Sequence, residues 1–460
     1  MFTRLSTFCE ESSRRWLPDP FVFALILTLL SGVASIVWVK ASPLEVASAW
    51  YQGFWTLLEF GMQVALMLTT GYAIALASPV SRLIDRLATK LTRPGPVYLV
   101  VLFIGGALVL VSWGWVVLTA VLAREIAERV EGIDYPFLVA CTYISSQAWV
   151  TGSSSSIPLL LNTPGNFLIE AGLLPGTIPV SQTLGSPLNF TVMAVLVLGA
   201  PGLMWLVRPR AALSPLDELR RGGTEARPPT VAEEVQQLQL PERPPSDRLN
   251  TSAVLQLTVA GMGLAHVVWH FVTWGFDLNL NIVIFVFLVL GLILHRTPLQ
   301  YVVGMRRACS NISGIVFQFP FYAGIMGIMM TTGLGTAIAD AMASAVGLEA
   351  MPLAAYVLGA VVNFAIPSAG GEWAVVGPPL VETVRGLADP VELEHHVAGI
   401  AMAVAYGESL TNLLQPFFLL TVLPVMGAGT RIQARDVLGY VFVPFVVLFV
   451  VIGGIVMVVG

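Results

Sequence analysis

Residues 363–373 read Asn363-Phe364-Ala365-Ile366-Pro367-Ser368-Ala369-Gly370-Gly371-Glu372-Trp373, with apolar sequence on both sides, at 351–367 and 367–386. Pro367 and the Gly370-Gly371 pair stop or turn a helix. In hydrocarbon every backbone N–H and C=O must find a partner, so an interrupted helix is tolerated only where protein or a watery cavity surrounds it. The stretch therefore predicts a membrane helix broken inside the protein. Glu372 falls near the expected hairpin tip. A carboxyl within a membrane span is costly and marks a functional site by default; at the interface it is merely solvated.

Composition supports the membrane setting. Of 460 residues 56% are apolar and 11% charged, against about 25% charged in a soluble domain, and the mean hydropathy is +0.80. So few charges cannot cover a water-facing surface of this size. Several apolar runs reach the roughly 20 residues that a spanning helix needs. A net charge of -5 with no basic block excludes nucleic-acid binding. Cys9, Cys141 and Cys309 lie far apart and form no CxxC pair, so neither zinc nor a disulfide framework is predicted. His266 and His270 share a helix face but have no third ligand in view, and His395-His396 sits in a polar loop. No metal and no cofactor is expected.

Outward from residues 363–373, spans are read at 20–39, 56–78, 97–122, 187–207, 252–275, 279–295, 311–331, 351–367, 396–424 and 437–459. Residues 136–168 begin as a helix and then break. The apolar run after Arg4, Arg14 and Arg15 is longer than the h-region of a signal peptide, about 7–15 residues, so an uncleaved first helix is expected. Arg82, Arg86, Lys90 and Arg93 mark one short loop as cytoplasmic; Arg296, Arg306, Arg307, Arg431 and Arg435 mark two others. The connections at 40–53 and 332–350 then lie outside. Residues 208–250 hold seven Arg, seven Asp/Glu and seven Pro and read as a cytoplasmic polar linker, partly disordered. The domain expectation is a first membrane repeat at 1–207, the linker at 208–250, and a second repeat with an extra leading helix at 251–460.

The halves resemble each other. Phe60-Gly61-Met62-Gln63 is matched by Phe317-Gln318-Phe319-Pro320, Ser112-Trp113-Gly114-Trp115 by Ser368 to Trp373, and the broken stretch 140–166 by 401–416. By the charge argument, 56–78 and 311–331 run in opposite directions, as do 187–207 and 437–459. Opposed repeats with interrupted helices in matching places point to the binding site of a secondary transporter. The fold class expected is an all-α polytopic membrane protein of roughly 10–12 membrane segments. Its two inverted-topology repeats carry broken or re-entrant helices.

Half-helix N-termini offer free N–H donors and a partial positive charge, so a carboxylate can bind there without Lys or Arg. The interrupted segments themselves contain no basic residue. The first candidate lining is Ser153, Ser154, Ser155 and Ser156 with Asn162, Thr163 and Asn166. A single serine more often serves small-residue helix packing; four together beside Pro158 favour a lining role. The second is Asn363, Ser368, Gly370, Gly371 and Glu372. The third is Tyr406, Glu408, Thr411, Asn412 and Gln415. Burial of Glu408 among apolar neighbours disfavours its charged form and suits proton coupling, against a Glu satisfied by nearby hydroxyls. Gln63 and Gln318 stand at equivalent places, as amide contacts to solute or as simple interhelical bonds. No HExxH, no GxSxG and no closely spaced carboxylate pair within the membrane occurs, so an enzyme is not expected. Long broken helices in inverted halves favour alternating access over a channel.

At these residues the chain resembles the bacterial short-chain fatty acid transporter family, the acetoacetate/butyrate uptake type. The matching stretches are Arg15 to Pro20, Gly53-Phe54-Trp55, Phe60 to Gln63, Thr163 to Asn166, Gln318 to Ile325, Asn363 to Trp373, and Ala405 to Glu408 with Gln415-Pro416-Phe417. Val376-Gly377-Pro378 and Leu410 depart from the family pattern of Gln-Gly-Pro and Trp. The resemblance implies secondary transport of a short-chain carboxylate, with an elevator-like architecture by analogy. A dicarboxylate is the alternative solute and would favour a basic residue that is not visible. The expected partners are the carboxylate, a coupling H+ or Na+ and the lipid bilayer of the inner membrane, with a homodimer as the candidate assembly.

Overall fold

The computed structural model describes residues 20–460 except 90, 92, 210–213, 221–229, 240–243, 310–312, 365, 420 and 428. The expectations for Cys9, the N-terminal arginines and Arg15–Asp19 therefore lie outside the described residues, as do those for Lys90 and Ala365. Described secondary structure is helical, apart from an isolated bridge between Arg220 and Thr430.

Among the described residues, six helices are long and apolar enough to cross a membrane: Leu58–Ala75, Pro94–Val111, Pro187–Val207, Pro245–Trp274, Leu393–Leu414 and Asp436–Val459. Val316–Thr332 and Leu334–Met342 make a seventh span bent by 79°. The bend is at Gly333, whose φ of 81° a side chain would strain. Shorter apolar helices cover Ala24–Val37, Leu280–His295 and Leu348–Val362. Two expected loops are helical instead: 40–53 holds Pro43–Gly53 and 332–350 holds Leu334–Ala345. Ser42 supplies the first with a capping box, accepting from the Glu45 N–H while the Glu45 carboxylate accepts from its own.

The apolar stretch 97–122 is not one span. Pro94–Val111 ends at Ser112, Trp113–Trp115 forms a 3-10 turn, and Val116–Ala127 returns. A Cβ on Gly105 would lie 2.8 Å from Thr119 Cγ2, so the two arms are side by side. Apolar content alone masked this hairpin, because both arms and the tip aromatics are apolar. The second hairpin has Met351–Val362 as one arm and Ala369–Leu387 as the other. Two helices are broken. Tyr135–Ser145 passes through a 3-10 turn at Ser146–Thr151 to Ser156–Leu161, and Leu393–Thr411 passes through Asn412–Leu414 to Pro416–Leu419.

The helices pack as two groups, each drawn from both halves of the sequence. One contains 20–37, 43–53, 58–75, 253–274, 280–295, 298–309 and 313–332. The other contains the first hairpin, both broken helices, 187–207, 351–362 and 434–459. Ala369–Leu387 stands between them, touching 313–332 and 334–345 on one side and 393–411 on the other. Helix 351–362 approaches 393–411 closely: a Cβ on Gly359 would lie 2.6 Å from the Val404 carbonyl oxygen and one on Gly407 would strike the Tyr356 carbonyl. Small residues permit such approach where lipid supplies no hydrophobic drive. The 253–274 helix lies at the rim, with Val254, Met262, Val272 and Trp274 exposed as lipid-facing residues are.

The described part of the linker is docked rather than loose. Val231–Leu238 is capped by Thr230 and packs on Pro298–Cys309. There Val231, Val235 and Val303 are buried together and Glu234 pairs with Arg307. Arg431 N–H donates to the Leu219 carbonyl at 2.8 Å, and Tyr135 N–H to the Ser214 carbonyl at 3.1 Å. Charge balance in the sequence hid these attachments. Val235→Asp should undock the helix, at a cost of about 1.5–3 kcal/mol for the lost burial. Trypsin should then cut the linker about tenfold faster or more, since cleavage follows the open population; an unchanged rate would show that the helix does not hold the linker.

Candidate functional site

Each hairpin tip is held by the break of the broken helix that follows it. At the first tip, Ser154 Oγ accepts from the Trp113 N–H at 2.8 Å. Ser153 donates its own N–H to the Leu110 carbonyl at 2.7 Å and its hydroxyl to the Val111 carbonyl at 2.9 Å. The tip also leans on 58–75, where Trp115 Nε1 donates to the Gly71 carbonyl at 3.0 Å. Ser155 is buried with no partner for its hydroxyl, and Ser156 is buried as the first residue of Ser156–Leu161.

At the second tip Asn363 is fully buried. Its Nδ2 bonds the Glu408 carbonyl at 2.9 Å, Thr411 Oγ1 at 2.9 Å and Asn412 Oδ1 at 2.7 Å. Gln415 Nε2 returns a bond to the Asn363 carbonyl at 2.8 Å. Ser368 caps the 369–387 helix, accepting from the Gly371 N–H at 3.4 Å. Gly370 and Gly371 seat this helix on the first group: a Cβ there would lie 2.8 Å from the Phe60 ring and 2.7 Å from the Tyr322 ring.

The two breaks meet. The Tyr143 hydroxyl donates to the Asn412 carbonyl and reaches the Gln415 carbonyl at 3.1 Å. Ser409 Oγ donates to the Gln147 carbonyl at 3.1 Å, and the Tyr406 hydroxyl to Asn189 Oδ1 at 3.0 Å. Asn189 Nδ2 in turn holds the Thr151 carbonyl at 3.1 Å.

Two carboxyl groups sit in this region. Glu372 is in the first turn of 369–387 with a fractional exposure of 0%, and neither of its oxygens has a hydrogen-bond partner in the protein. Glu408 Oε1 accepts from Asn412 Nδ2 at 3.4 Å, while its Oε2 has no partner. The helices that carry them, 369–387 and 393–411, pack on each other. No buried residue among those described is Lys or Arg.

Of the expected lining residues, the structure gathers Ser153, Ser154 and Ser155 at the first tip and Asn363, Glu408, Thr411, Asn412 and Gln415 at the second. Five others stand apart. Gln63 Nε2 donates to Asn281 Oδ1 at 3.0 Å, the simple interhelical bond, and Gln318 Oε1 accepts from the Tyr322 hydroxyl at 3.1 Å. Asn162 Nδ2 donates to Asp277 Oδ1 at 2.7 Å, Thr163 Oγ1 accepts from the Leu280 N–H at 3.1 Å, and Asn166 caps Phe167–Glu170. These last three anchor loops where the broken helix ends. Sequence reading missed Tyr143, Gln147, Asn189 and Ser409. The four-residue spacing of Tyr143 and Gln147 inside an apolar run was the available signal.

Two broken helices that meet at their breaks, two hairpin tips buried against them, and a polar centre without a basic residue among the described buried residues fit a membrane transporter of the broken-helix kind. A family profile described as Short chain fatty acid transporter matches residues 1–459. A protein of Escherichia coli (strain K12) named as a candidate short-chain fatty acid transporter is 37% identical over 443 residues, 96% of each chain. One of Haemophilus influenzae (strain ATCC 51907 / DSM 11121 / KW20 / Rd) with the same name is 31% identical over 445 residues, again 96% of each. Among solved structures, the Alcanivorax borkumensis YdaH transporter, described as having an unusual topology, superposes with a TM-score of 0.58 at 15% identity over 96% of this chain and 98% of its own. Neisseria gonorrhoeae MtrF, described with a class of antimetabolite efflux pumps, gives 0.54 at 15% identity over 100% and 98%. At that identity the likeness concerns fold alone.

The chain belongs to the short-chain fatty acid transporter family. It is a multi-pass membrane transport protein and not an enzyme.

Removing the Asn363 side chain strands the polar groups it joins, at about 1–3 kcal/mol for each that stays unsatisfied. Thermal unfolding of purified Asn363→Ala should shift down accordingly, and Tyr143→Phe should shift by about 1 kcal/mol. Unchanged melting of both would mean that these bonds do not hold the tips.

Proposed function

We propose that the chain moves short-chain fatty acids, butyrate and acetoacetate among them, across the cytoplasmic membrane by symport with a cation. The observation that carries the reading is the buried pair Glu372 and Glu408, placed at the second tip with three carboxyl oxygens unpartnered. Buried ionisable groups in a membrane protein mark ion and substrate pathways. The absence of Lys and Arg among the described buried residues disfavours a dicarboxylate, which brings two negative charges.

An inverted repeat, with the first repeat at 1–207 and the second at 251–460, is supported by matching parts. Helix 58–75 seats the first tip and helix 313–332 the second, and each hairpin precedes a broken helix. The linker, the 298–309 helix and the 425–431 loop meet at one end of the bundle, and the Arg residues of those loops make that end cytoplasmic. The two mixed helix groups suit movement of one against the other, elevator fashion. A homodimer is the assembly we expect, with the exposed rim helix 253–274 open to contact.

For the coupling cation, H+ is read from the two carboxyl groups. Na+ is favoured by a separate observation: Asn363 Oδ1 and Glu408 Oε2 are buried acceptors without a donor, on side chains already joined through Asn412. Oxygen ligands of this kind suit Na+ where helices unwind.

Uptake of labelled butyrate and acetoacetate into proteoliposomes tests the reading. Accumulation driven by a proton gradient alone supports H+; accumulation that needs Na+ keeps the solute and moves the coupling to the amide and carboxylate oxygens. Glu408→Ala should lower gradient-driven accumulation by about tenfold, equivalent to ~1.4 kcal/mol. Saturable uptake by neither gradient would remove the solute assignment, and unchanged accumulation by Glu408→Ala would remove its coupling role.

A further inference from the structure

An anionic solute at the second tip has to bind beside two acidic side chains, with no Lys or Arg among the described buried residues to attract it. Ionised carboxylates accept hydrogen bonds only, whereas a protonated carboxyl offers an O–H donor. Bonds from such a donor to a carboxylate are of the short, charge-assisted kind. Glu372 is the side chain free to make one. Glu408 and Asn412 bond each other, and Asn363 holds the Glu408 carbonyl, but both Glu372 oxygens are buried without a partner.

We propose that Glu372 recognises the solute by donating its carboxyl O–H to the solute carboxylate, so that the coupling proton and the anion occupy one site. The inference rests on the short-chain carboxylate symport reading and deepens it. Further donors stand nearby in the fold. Trp373 Nε1 and Ser155 Oγ are buried without partners, and Ser156–Leu161 packs directly on Ala369–Leu387. A monocarboxylate is satisfied by such a set. A second carboxylate would need a second proton donor. Glu408 bears one free oxygen but is already committed through the other.

The titratable surroundings of Glu372 are few. On its own helix Glu382 and Arg385 are two turns or more away, at the exposed end. Helix 393–411 contributes Glu408 and Tyr406, with Glu394, His395 and His396 at its far end, helix 313–332 Tyr322, helix 351–362 Tyr356, helix 58–75 the exposed Glu59 and, three turns on, Tyr72, and helix 334–345 the exposed Asp340; Ser156–Leu161 contributes none. Proton bookkeeping is then simple. One proton enters from the loading side, is shared between Glu372 and the anion, and leaves with the anion on the other side, so each cycle moves no net charge.

The experiment is butyrate binding to the purified full-length chain in nanodiscs, by titration calorimetry in two buffers of different ionisation enthalpy. Above the pH at which the free site loses its proton, wild type should take up about one proton per butyrate and its affinity should fall about tenfold per pH unit; below that pH both the uptake and the slope should vanish. Glu372→Gln keeps an N–H donor, so it should still bind butyrate but without proton uptake or pH dependence. Glu372→Ala should bind at least tenfold more weakly. Proton uptake of about one per butyrate retained by Glu372→Gln, or wild-type binding that shows neither proton uptake nor a fall in affinity at any pH of the series, would overturn the shared site while leaving the solute assignment standing. No binding of butyrate or acetoacetate by the wild type would overturn the underlying reading and this inference with it.

Discussion

A peptide group in hydrocarbon cannot fall back on water, and this constraint organises the whole structure. Four helical elements stop inside the protein, and each leaves backbone groups that must be met there. The chain meets them pairwise. Ser153 and Ser154 take up the free ends at Leu110 and Trp113, and Gln415 and Asn363 do the same at the second tip. Tyr143 and Ser409 then tie one break to the other. The polar centre is first a solution to a backbone problem, and its position follows from where the helices stop.

That distinction sorts the polar residues. Many hydroxyls simply bond the carbonyl one turn back, as Thr69, Thr70, Thr142 and Thr163 do. Such bonds satisfy the side chain and leave nothing for a solute. Asn363, Gln415 and Tyr143 are framework, because their donors are spent on backbone or on fixed neighbours. What remains unspent among the described residues is a short set of buried atoms: the Glu372 carboxyl, one oxygen each of Glu408, Asn363 and Gln182, the hydroxyls of Ser155 and Thr119, and the indole N–H of Trp50, Trp149 and Trp373. Buried polar atoms without partners are uncommon and ask for an explanation. Five of them, on Glu372, Glu408 and Asn363 and on Ser155, belong to the two tips and the breaks that hold them, which is what a binding site requires.

The sequence made the breaks legible because they are written in residues with strong local rules. Pro367 with Gly370-Gly371, and Ser153 to Ser156 beside Pro158, cannot continue an apolar helix unnoticed. The first hairpin was not legible in the same way. Its tip is Trp113-Gly114-Trp115, as apolar as its arms, and only the contact of Gly105 with Thr119 reveals the reversal. Partner choice was equally hidden. Nothing local says that Asn162 bonds Asp277, 115 positions away, or that the helix of Glu372 packs on the helix of Glu408. Periodicity and composition report on the element a residue sits in; tertiary pairing decides what its side chain has left to offer.

The second hairpin is where these constraints converge. Its return helix is the element that stands between the two helix groups, and its seat on the first group is built from Gly370 and Gly371 against Phe60, Phe319 and Tyr322. Aromatic rings on glycine form a smooth contact without hydrogen bonds, one that can slide more readily than the bonded network on the other face of the same hairpin. Glu372 follows these glycines directly in the chain. Asn363 ties the tip to the 408–415 break, so one face of this hairpin is hydrogen-bonded while the glycines of its return helix rest on aromatic rings. The carboxyl with both oxygens unpartnered thus follows directly, in the chain, on the contact made without hydrogen bonds.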